Sequence, residues 1–559
     1  MKNTHHKIIN RLRGTLTRAV CLATAAVLTA CPAAVAASSQ DGDPTVVQTR
    51  TGAIRGTVHE DHRLFQGIPY AAPPVGALRW GSPRPAAAWT GVRDATRPGQ
   101  ACAQDQDFIG DKPSMAEDCL FLNVTTPRHV KASDARPTPV MVWIHGGGFL
   151  GGSGAIYGAE RLAAKGDVIV VTFNYRLNAL GFLAHPALDG GPARHRSGNF
   201  GIEDQQAVLH WVRANAPAFG GDPHNVTIFG ESAGGMSSCA HLTAPGSRGL
   251  FHRVIMQSGP CTLRWPWAPG TAGPQAETWR PKPRAQAQKQ AIEIATAAGC
   301  GDLRTAAACL RAKPVSALLK AVGPHGLAPT YGGGVLPEDP VRQLASGRFT
   351  RVPVMHGITR DEHVTFQVGF DAEAGGPLPA AEYPAVLGNF LDLTKQENAK
   401  VIRRYPLRDY RGSTSWAMAA TITDWAWACP AVEMNTLLSR HVPTYAFEFA
   451  DRTAPWFKQA PPQSYPTGAY HAGELQYLFS RAYAGRALST AQQRLSDQMI
   501  GYWTSFAHDG SPNGNQTAPV WPAYRPSDHQ VMSLAPGEGG ITTVNLDREH
   551  HCGFWRSLG

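Results

Sequence analysis

The chain has 559 residues, of which 43% are hydrophobic and 17% are charged, and this composition excludes an intrinsically disordered protein. Its formal charge is +10, but five basic and no acidic residues lie in residues 1–36, so the rest carries a net charge of +5. Because no run of Lys and Arg interleaved with aromatic residues occurs, we expect no nucleic-acid partner.

Residues 1–36 have the layout of a secretory signal peptide. A basic segment precedes the apolar run "AVCLATAAVLTA", and the small residues "AVA" end at Ala36. We therefore predict removal of this segment and a secreted or periplasmic protein. "LTAC" also resembles a lipobox, so a lipoprotein anchored through Cys31 is the alternative. The apolar run is shorter than the roughly 20 residues that a membrane-spanning helix needs, and no other stretch is long and apolar enough.

Apolar runs rich in β-branched residues recur along the rest of the chain. They are "VMVWI" (140–144), "VIVVTF" (168–173), "VTIF" (226–229), "RVIMQ" (253–257), "VPVM" (352–355) and "TYAFEF" (444–449). Between two of them, Val208, Trp211 and Val212 recur at helical spacing. Near-continuous apolar strands that alternate with helices indicate an α/β fold, with a large, mostly parallel sheet covered by helices on both faces.

The stretch "WIHGGGFLGGS" (143–153) directly follows the first of these predicted strands. Its glycines allow a backbone bend that directs N–H groups into a cavity. Such donors could hold a developing oxyanion together with the N–H that follows a nucleophile. A flexible loop is the alternative interpretation.

The stretch "VTIFGESAGGMSS" (226–238) places Ser232 between glycines two residues away on either side. A bare G-x-S-x-G pattern occurs by chance in many turns. Here it follows a predicted strand, and the residues after Gly235 can continue as a helix. This is the strand-turn-helix context in which a nucleophilic serine is lifted clear of a sheet. Ser232 is therefore a candidate nucleophile, which needs a histidine base and a carboxylate.

Spacing alone does not identify those partners, since the chain has 21 histidines. The Pro- and Gly-rich stretch Leu263–Gln286 is interpreted as a long surface excursion. Eight cysteines follow Ala36 and leave 105 pairings open, and none has the spacing of a metal site, so no metal is expected. They are Cys102, Cys119, Cys239, Cys261, Cys300, Cys309, Cys429 and Cys552.

Ordered motifs along nearly the whole chain, from about Val46 to Trp555, carry a family resemblance. They are "FQGIPYAAPPVGALRW" (65–80), "EDCLFLNV" (117–124), "WIHGGGF" (143–149), "NYR" (174–176), "FGGDPHNVTIFGESAGG" (219–235), "QSG" (257–259), "YHAGELQYLF" (470–479) and "YWTSFAHDGSPN" (502–513). With these motifs the chain resembles the type-B carboxylesterases, α/β-hydrolases that include the cholinesterases. The resemblance implies an α/β-hydrolase fold over residues 37–559, as a single catalytic domain.

The resemblance also implies the roles of individual residues. Ser232 would be the nucleophile, His471 the general base and acid, and Glu362 the orienting carboxylate. Glu362 is followed by His363 where the family usually has glycine, and Asp361 beside it is a competing carboxylate interpreted as a loop residue. The remaining implied positions are Gly147, Gly148 and Ala233 in the oxyanion hole, and Glu231 and Ser258 behind the triad. Glu231 and Ser258 would hydrogen-bond the histidine region, and the alternative is that they are plain turn and strand-end residues. Trp425, Trp427 and Phe149 are expected near the pocket or in the core.

The resemblance proposes disulfides between Cys102 and Cys119, Cys300 and Cys309, and Cys429 and Cys552. Cys239 and Cys261 are left either paired or free. In related lipases and cholinesterases, a longer loop between the first pair shapes a lid or gorge wall. The short loop here favours an open mouth, and therefore an esterase for small or medium soluble esters.

Together these features predict a serine carboxylic-ester hydrolase that works through an acyl-enzyme and needs no cofactor or metal. The alternatives are a lipase, an esterase dedicated to one natural product or toxin, and a non-catalytic binding protein of the cholinesterase type. The presence of all three triad residues argues against the last.

Overall fold

The six apolar runs of the sequence all contribute strands to one large sheet. The computed structural model describes residues 43–105, 112–190, 196–264, 280–323, 326–458, 463–480, 485–514 and 518–558. Residues Asp43–Gly559 cluster as one compact unit. The predicted signal peptide and Cys31 lie outside the described residues.

Strands occur along the whole described part of the chain. They are β1 (Val46–Gln48), β2 (Ala53–Arg55), β3 (Thr57–Val58), β4 (His62–Pro69), β5 (Val92–Asp94), β6 (Phe121–Pro127), β7 (Thr138–Ile144), β8 (Ile169–Phe173), β9 (Gly221–Glu231), β10 (Arg253–Gln257), β11 (Lys282–Pro283), β12 (Thr330–Tyr331), β13 (Val354–Thr359), β14 (Thr444–Phe449), β15 (Gln530–Leu534) and β16 (Ile541–Asn545).

The main sheet has eleven described strands in the order β16, β15, β14, β13, β10, β9, β7, β8, β6, β4, β3. The seven neighbouring strands from β15 to β8 run parallel. The strands outside them pair antiparallel. The predicted large, mostly parallel sheet is therefore confirmed. Strands β1, β2 and β5 form a separate small sheet, and β11 pairs with β12.

Helices connect these strands. They are α1 (Glu160–Gly166), α2 (Asn178–Phe182), α3 (Phe200–Asn215), α4 (Ala233–Thr243), α5 (Arg284–Ala297), α6 (Ala306–Ala312), α7 (Val315–Val322), α8 (Pro340–Ala345), α9 (Val364–Ala374), α10 (Tyr383–Phe390), α11 (Lys395–Arg404), α12 (Thr414–Ile422), a π-helical segment (Thr423–Ala428), α13 (Cys429–Ser439), α14 (Leu475–Leu478), α15 (Thr490–Asp509), α16 (Leu546–Glu549) and α17 (Cys552–Arg556). In the part of the chain described, no helix is both long and apolar enough to cross a membrane.

The core lies on both faces of the main sheet. Because side chains alternate along a strand, Val140, Val142 and Ile144 of β7 pack into one hydrophobic cluster, and Met141 and Trp143 pack into another. Helix α3 covers the first cluster through its predicted apolar face, and α15 covers the second. The central strands are buried on both faces for this reason, which explains their continuous apolar character.

Four disulfides join the eight described cysteines. They are Cys102–Cys119, Cys239–Cys261, Cys300–Cys309 and Cys429–Cys552. Three of these pairs are those that the family resemblance implies. The fourth pairs the two cysteines that the sequence left open, and it links α4 to the segment after β10.

The excursion predicted at Leu263–Gln286 lies mostly outside the described residues, which resume at Arg280. Its last part was assigned wrongly, because Lys282–Pro283 forms β11 and helix α5 already begins at Arg284. Pro283 directly precedes this helix in extended conformation. The density of prolines concealed the helix start in the sequence.

Candidate active site

Ser232 lies in the sharp turn between β9 and α4 at the centre of the sheet. The strand ends at Glu231, the helix begins at Ala233, and Ser232 between them has φ +56° and ψ −122°. A positive φ is rare and strained for a residue with a side chain. The serine N–H is held by a 2.9 Å hydrogen bond to the carbonyl of Gln257 at the end of β10. The strand-turn-helix context predicted from sequence is therefore present, and Ser232 keeps partial solvent exposure.

Two glycines permit this turn because their Cα atoms lie against neighbouring backbone. A Cβ on Gly234 would lie 1.9 Å from the carbonyl oxygen of Ile144, and one on Gly230 would lie 2.5 Å from the carbonyl of Gly234. Neither position has room for a side chain. Helix α4 therefore starts directly against the end of β7.

The glycine-rich loop after β7 passes beside the serine. A Cβ on Gly146 would lie 3.1 Å from the Cβ of Ser232. Gly147 and Gly148 follow with φ of +102° and +61°, so the backbone turns away from the extended course of the strand. This loop and the start of α4 therefore meet at the serine. The N–H groups of the loop and of Ala233, which begins α4, lie in these two segments. The first N–H groups of a helix lack partners within the helix, and are available to an anion.

Glu362 and His471 come together from two loops at the same edge of the sheet. Glu362 follows β13 and His471 precedes α14, and Glu362 Oε2 lies 2.5 Å from His471 Nδ1. The other carboxylate oxygen accepts a 2.9 Å hydrogen bond from the N–H of Thr359. Glu362 is fully buried and His471 nearly so. A carboxylate in this position fixes the ring orientation of the histidine and stabilises its positive charge.

The other ring nitrogen of His471 faces the end of β9. Its Nε2 lies 3.0 Å from Glu231 Oε1, close enough for an ion pair but outside hydrogen-bonding geometry. Glu231 directly precedes Ser232. The structure thus brings the histidine, its carboxylate and the turn that carries the serine to one place.

Comparison with known proteins identifies the family. A model of the carboxylesterase family matches residues 43–555. The chain belongs to this family. It is 34% identical over 503 residues to para-nitrobenzyl esterase of Bacillus subtilis (strain 168), covering 88% of this chain and 94% of the relative. It is 36% identical over 513 residues to cocaine esterase of Oryctolagus cuniculus, covering 87% and 91%. This carboxylesterase is thus a carboxylic ester hydrolase, as its similarity to named esterases supports.

Comparison with solved structures tests the predicted fold. A thermophilic PNB esterase is 32% identical, with a TM-score of 0.73, covering 91% of this chain and 99% of its own. Cholinesterase of Mus musculus is a further relative, 31% identical over 552 residues, covering 91% of this chain and 86% of the relative. The predicted α/β-hydrolase fold of this carboxylesterase is confirmed.

Three buried carboxylates set the electrostatics around His471. Burial alone lowers the pKa of His471, but the charges of Glu231 and Glu362 outweigh it, so its pKa is raised. Burial raises the pKa of Glu231, although the nearby histidine opposes this shift. Burial likewise raises the pKa of Glu474, whose Oε1 accepts a 2.9 Å hydrogen bond from Gln257. Perturbed pKa values of this kind cluster at functional sites.

Aromatic rings flank the histidine of this carboxylesterase. The centroids of Phe366 and Trp427 each lie 4.9 Å from the imidazole centroid, and the two rings stack on each other. Trp427 belongs to the π-helical segment and is buried. Of the other aromatic residues singled out in the sequence, Phe149 packs against Phe182 in the core and Trp425 is half-buried.

Ser258 and Glu474 depart from what the sequence led us to expect. Ser258, expected to hydrogen-bond near the histidine, is buried, and its hydroxyl has no hydrogen-bond partner among the described residues. Glu474 was missed, although it stands three residues after His471 in "YHAGELQYLF". A glutamate inside an otherwise apolar stretch was the available signal. Asp361 does not pair with the histidine, and its carboxylate instead binds Arg452.

Proposed function

We propose that this carboxylesterase hydrolyses small or medium soluble esters through a Ser232–His471–Glu362 triad and an acyl-enzyme intermediate. The observation that carries the proposal is the 2.5 Å contact between Glu362 and His471 beside the strained turn of Ser232. In such an arrangement the histidine activates a hydroxyl that is otherwise a weak nucleophile.

In the first half-reaction, His471 takes the hydroxyl proton as Ser232 Oγ attacks the ester carbonyl carbon. Glu362 stabilises the imidazolium, and the N–H groups of Gly147, Gly148 and Ala233 stabilise the oxyanion of the tetrahedral intermediate. The imidazolium then gives its proton to the departing alkoxide, which leaves as the alcohol. The acyl group remains on Ser232.

In the second half-reaction, His471 takes a proton from water, and the resulting hydroxide attacks the acyl carbonyl carbon. A second tetrahedral intermediate collapses, the carboxylic acid leaves, and Ser232 recovers its proton from His471. The buried carboxylates that raise the pKa of His471 favour the imidazolium that both halves require.

Two features support a preference for small or medium acyl groups. The disulfide Cys102–Cys119 closes a loop with a sequence separation of only 17, whereas in related lipases and cholinesterases a longer loop shapes a lid or gorge wall. Phe366 and Trp427 occupy the space beside the imidazole. On these grounds we expect long lipid chains to be poorer substrates than short or medium acyl groups.

Hydrolysis of a p-nitrophenyl ester series, from acetate to palmitate, tests this proposal. We expect the highest kcat/KM on short and medium chains, and a loss of at least about 1000-fold in kcat for Ser232→Ala, since the triad acts as a unit. Ser238→Ala is a matched control in the helix that follows Ser232, where the Ser238 hydroxyl donates a 2.9 Å hydrogen bond to the carbonyl of Gly234. It should keep kcat within about threefold, because the substitution removes one hydroxyl-to-carbonyl hydrogen bond within the helix and a neutral hydrogen bond contributes only about 1 kcal/mol to stability.

Retention of esterase activity by Ser232→Ala would contradict the nucleophile assignment. A rate that peaks on palmitate, above the solubility limit of the ester, would instead favour a lipase. The two results are independent, since one concerns the triad and the other the pocket.

We also propose export of this protein, with residues 1–36 as its signal peptide and residues 37–559 as one catalytic domain. Four disulfides are consistent with a secreted or periplasmic protein, because such bonds persist in oxidising compartments. Lipidation of Cys31 is the alternative to soluble release.

A further inference from the structure

Asp361 joins the loop that carries Glu362 to the loop that carries His471. Its backbone N–H donates a 2.9 Å hydrogen bond to the carbonyl of Ala469, and its Oδ2 accepts one of 2.9 Å from the N–H of the same residue. Asp361 and Tyr470 also form a parallel bridge. These contacts involve the residue directly before Glu362 and the two residues directly before His471.

A third segment fixes the carboxylate of Asp361. Arg452, which follows β14, donates from Nε to Oδ2 at 2.9 Å and from Nη2 to Oδ1 at 2.7 Å. The Asp361 side chain is only 13% exposed, whereas that of Arg452 is 57% exposed. A two-point contact of this kind restricts both position and orientation of the carboxylate.

Gly468 shows how closely the histidine loop fits this carboxylate. It has φ +63°, and a Cβ there would lie 2.3 Å from Asp361 Oδ2. The histidine loop therefore approaches Asp361 at a position that only glycine fills without displacement. Both oxygens of Asp361 are thereby occupied, and its neighbour Glu362 is the carboxylate that meets His471 Nδ1.

We propose that Asp361 is a positioning residue that holds the Glu362–His471 pair in its reactive geometry. Glu362 and His471 are 109 residues apart, so their 2.5 Å contact depends on how the two loops are held together. Reactive groups displaced by about 1 Å can lose a hundredfold in rate. The inference rests on the proposed triad, and it adds a residue that does not itself touch the reacting atoms.

The test compares Asp361→Ala with Asp361→Asn on p-nitrophenyl acetate. We expect Asp361→Ala to lower kcat about 10- to 100-fold with KM changed less than about twofold, because positioning acts on the transition state. Asp361→Asn keeps an oxygen that can accept from the N–H of Ala469, and should recover most of the loss. In Asp361→Ala the acid limb of the kcat/KM profile should also move to lower pH, because a displaced Glu362 stabilises the imidazolium less.

The acid limb of the kcat/KM profile also depends on the other titratable groups that face His471, which are Glu231, Glu474 and His363. None of these is changed in the variants. Asp497→Ala is the matched control, since this aspartate is 49% exposed and pairs with Arg161 and Lys165 rather than with either loop of the site. It should retain at least about half of the wild-type kcat, because exposed ion pairs contribute little.

Wild-type kcat and an unshifted acid limb in folded Asp361→Ala would overturn the proposal. A loss that follows only a lowered melting temperature, with normal kcat at temperatures where the variant is folded, would also overturn it. Ser232→Ala and Glu362→Gln measured in parallel separate this outcome from failure of the triad itself. If those two retain activity, the proposed function fails instead.

Discussion

Glu231 is the residue that connects the serine turn to the histidine electrostatically. It is buried, directly precedes Ser232, and places Oε1 3.0 Å from His471 Nε2. A negative charge at this distance raises the pKa of the histidine, and in the proposed mechanism His471 must be neutral before the serine attacks. Activity should therefore rise with pH as His471 loses its proton.

Glu231→Gln tests this coupling. The substitution removes the charge and keeps the shape, so the pKa of His471 should fall and the acid limb of kcat/KM should move to lower pH. We expect kcat at high pH to stay within about tenfold of wild type, since general-base catalysis itself is retained. The measurement is the pH dependence of p-nitrophenyl acetate hydrolysis.

Glu433→Gln serves as the control for this experiment, because Glu433 is 44% exposed and pairs with Arg264, away from the histidine. Its acid limb should coincide with that of wild type. An acid limb unchanged in Glu231→Gln would show that Glu231 is already neutral where His471 titrates, and the coupling would be refuted.

The residues of the proposed site differ in how far local sequence features indicate them. Ser232 was found from local features, because a strand, a glycine turn and a helix are all encoded within about 15 residues. His471 and Glu362 were not found by spacing, and only the family resemblance selected them. Asp361 was interpreted as a loop residue, and its contacts with Ala469 and Arg452 depend on segments about 100 residues away. No local pattern contains such a contact.

At the scale of elements, a buried charge cluster attaches the C-terminal helices to the rest of the fold. His550, between α16 and α17, lies 2.6 Å from Asp424 of the π-helical segment and 2.7 Å from Glu448 of β14. Glu448 also pairs with Arg360 at 2.9 Å. Burial alone lowers the pKa of His550, but the two carboxylates outweigh it and raise the pKa to about 10.

This cluster predicts a loss of stability at alkaline pH. The pKa of His550 is higher in the folded chain than its ordinary value of 6.5. Its contribution is therefore fully present below about pH 6.5 and is lost as the pH rises through about 10. Removing one member of a buried charge network costs about 3–5 kcal/mol, so His550→Gln should unfold more easily at pH 7.

Urea unfolding of wild type and His550→Gln between pH 7 and pH 10.5 measures this effect. The difference in free energy of unfolding should shrink as pH rises. His129→Gln is the control, since this histidine is 69% exposed beside an exposed aspartate. A difference that stays constant over the pH range would contradict a charged His550.

Elements themselves were largely predictable. "RVIMQ" and "TYAFEF" coincide with β10 and β14, because continuous apolar runs are typical of buried parallel strands. The run "VPVM" predicts a strand from residue 352, but β13 starts at Val354, because Pro353 lacks the N–H that a central strand donates. The Cys239–Cys261 disulfide was left open because it depends on how α4 lies against the segment after β10.

For the whole molecule, strand order decides where the chemistry lies. Strands β9, β10 and β13 are neighbours and parallel, so the turn of Ser232 and the loops bearing Ser258 and Glu362 emerge at the same edge of the sheet. Functional groups at the carboxyl ends of parallel strands are the general pattern in α/β proteins. The hydrophobic pattern of the sequence predicts the strands of the sheet. It does not predict the order of those strands, because the order depends on pairings between distant segments.

In the proposed mechanism, the acyl group of the ester is transferred to Ser232 before water releases it. Rapid mixing with p-nitrophenyl acetate, followed by acid quench and mass spectrometry of the peptides, measures this directly. We expect a burst of p-nitrophenol of about one equivalent where deacylation is the slower step, and an added acetyl group of 42 Da, about the mass of C2H2O, on the peptide that contains Ser232. Steady turnover with no acetylated peptide, or acetylation on another residue that Ser232→Ala leaves unchanged, would contradict it.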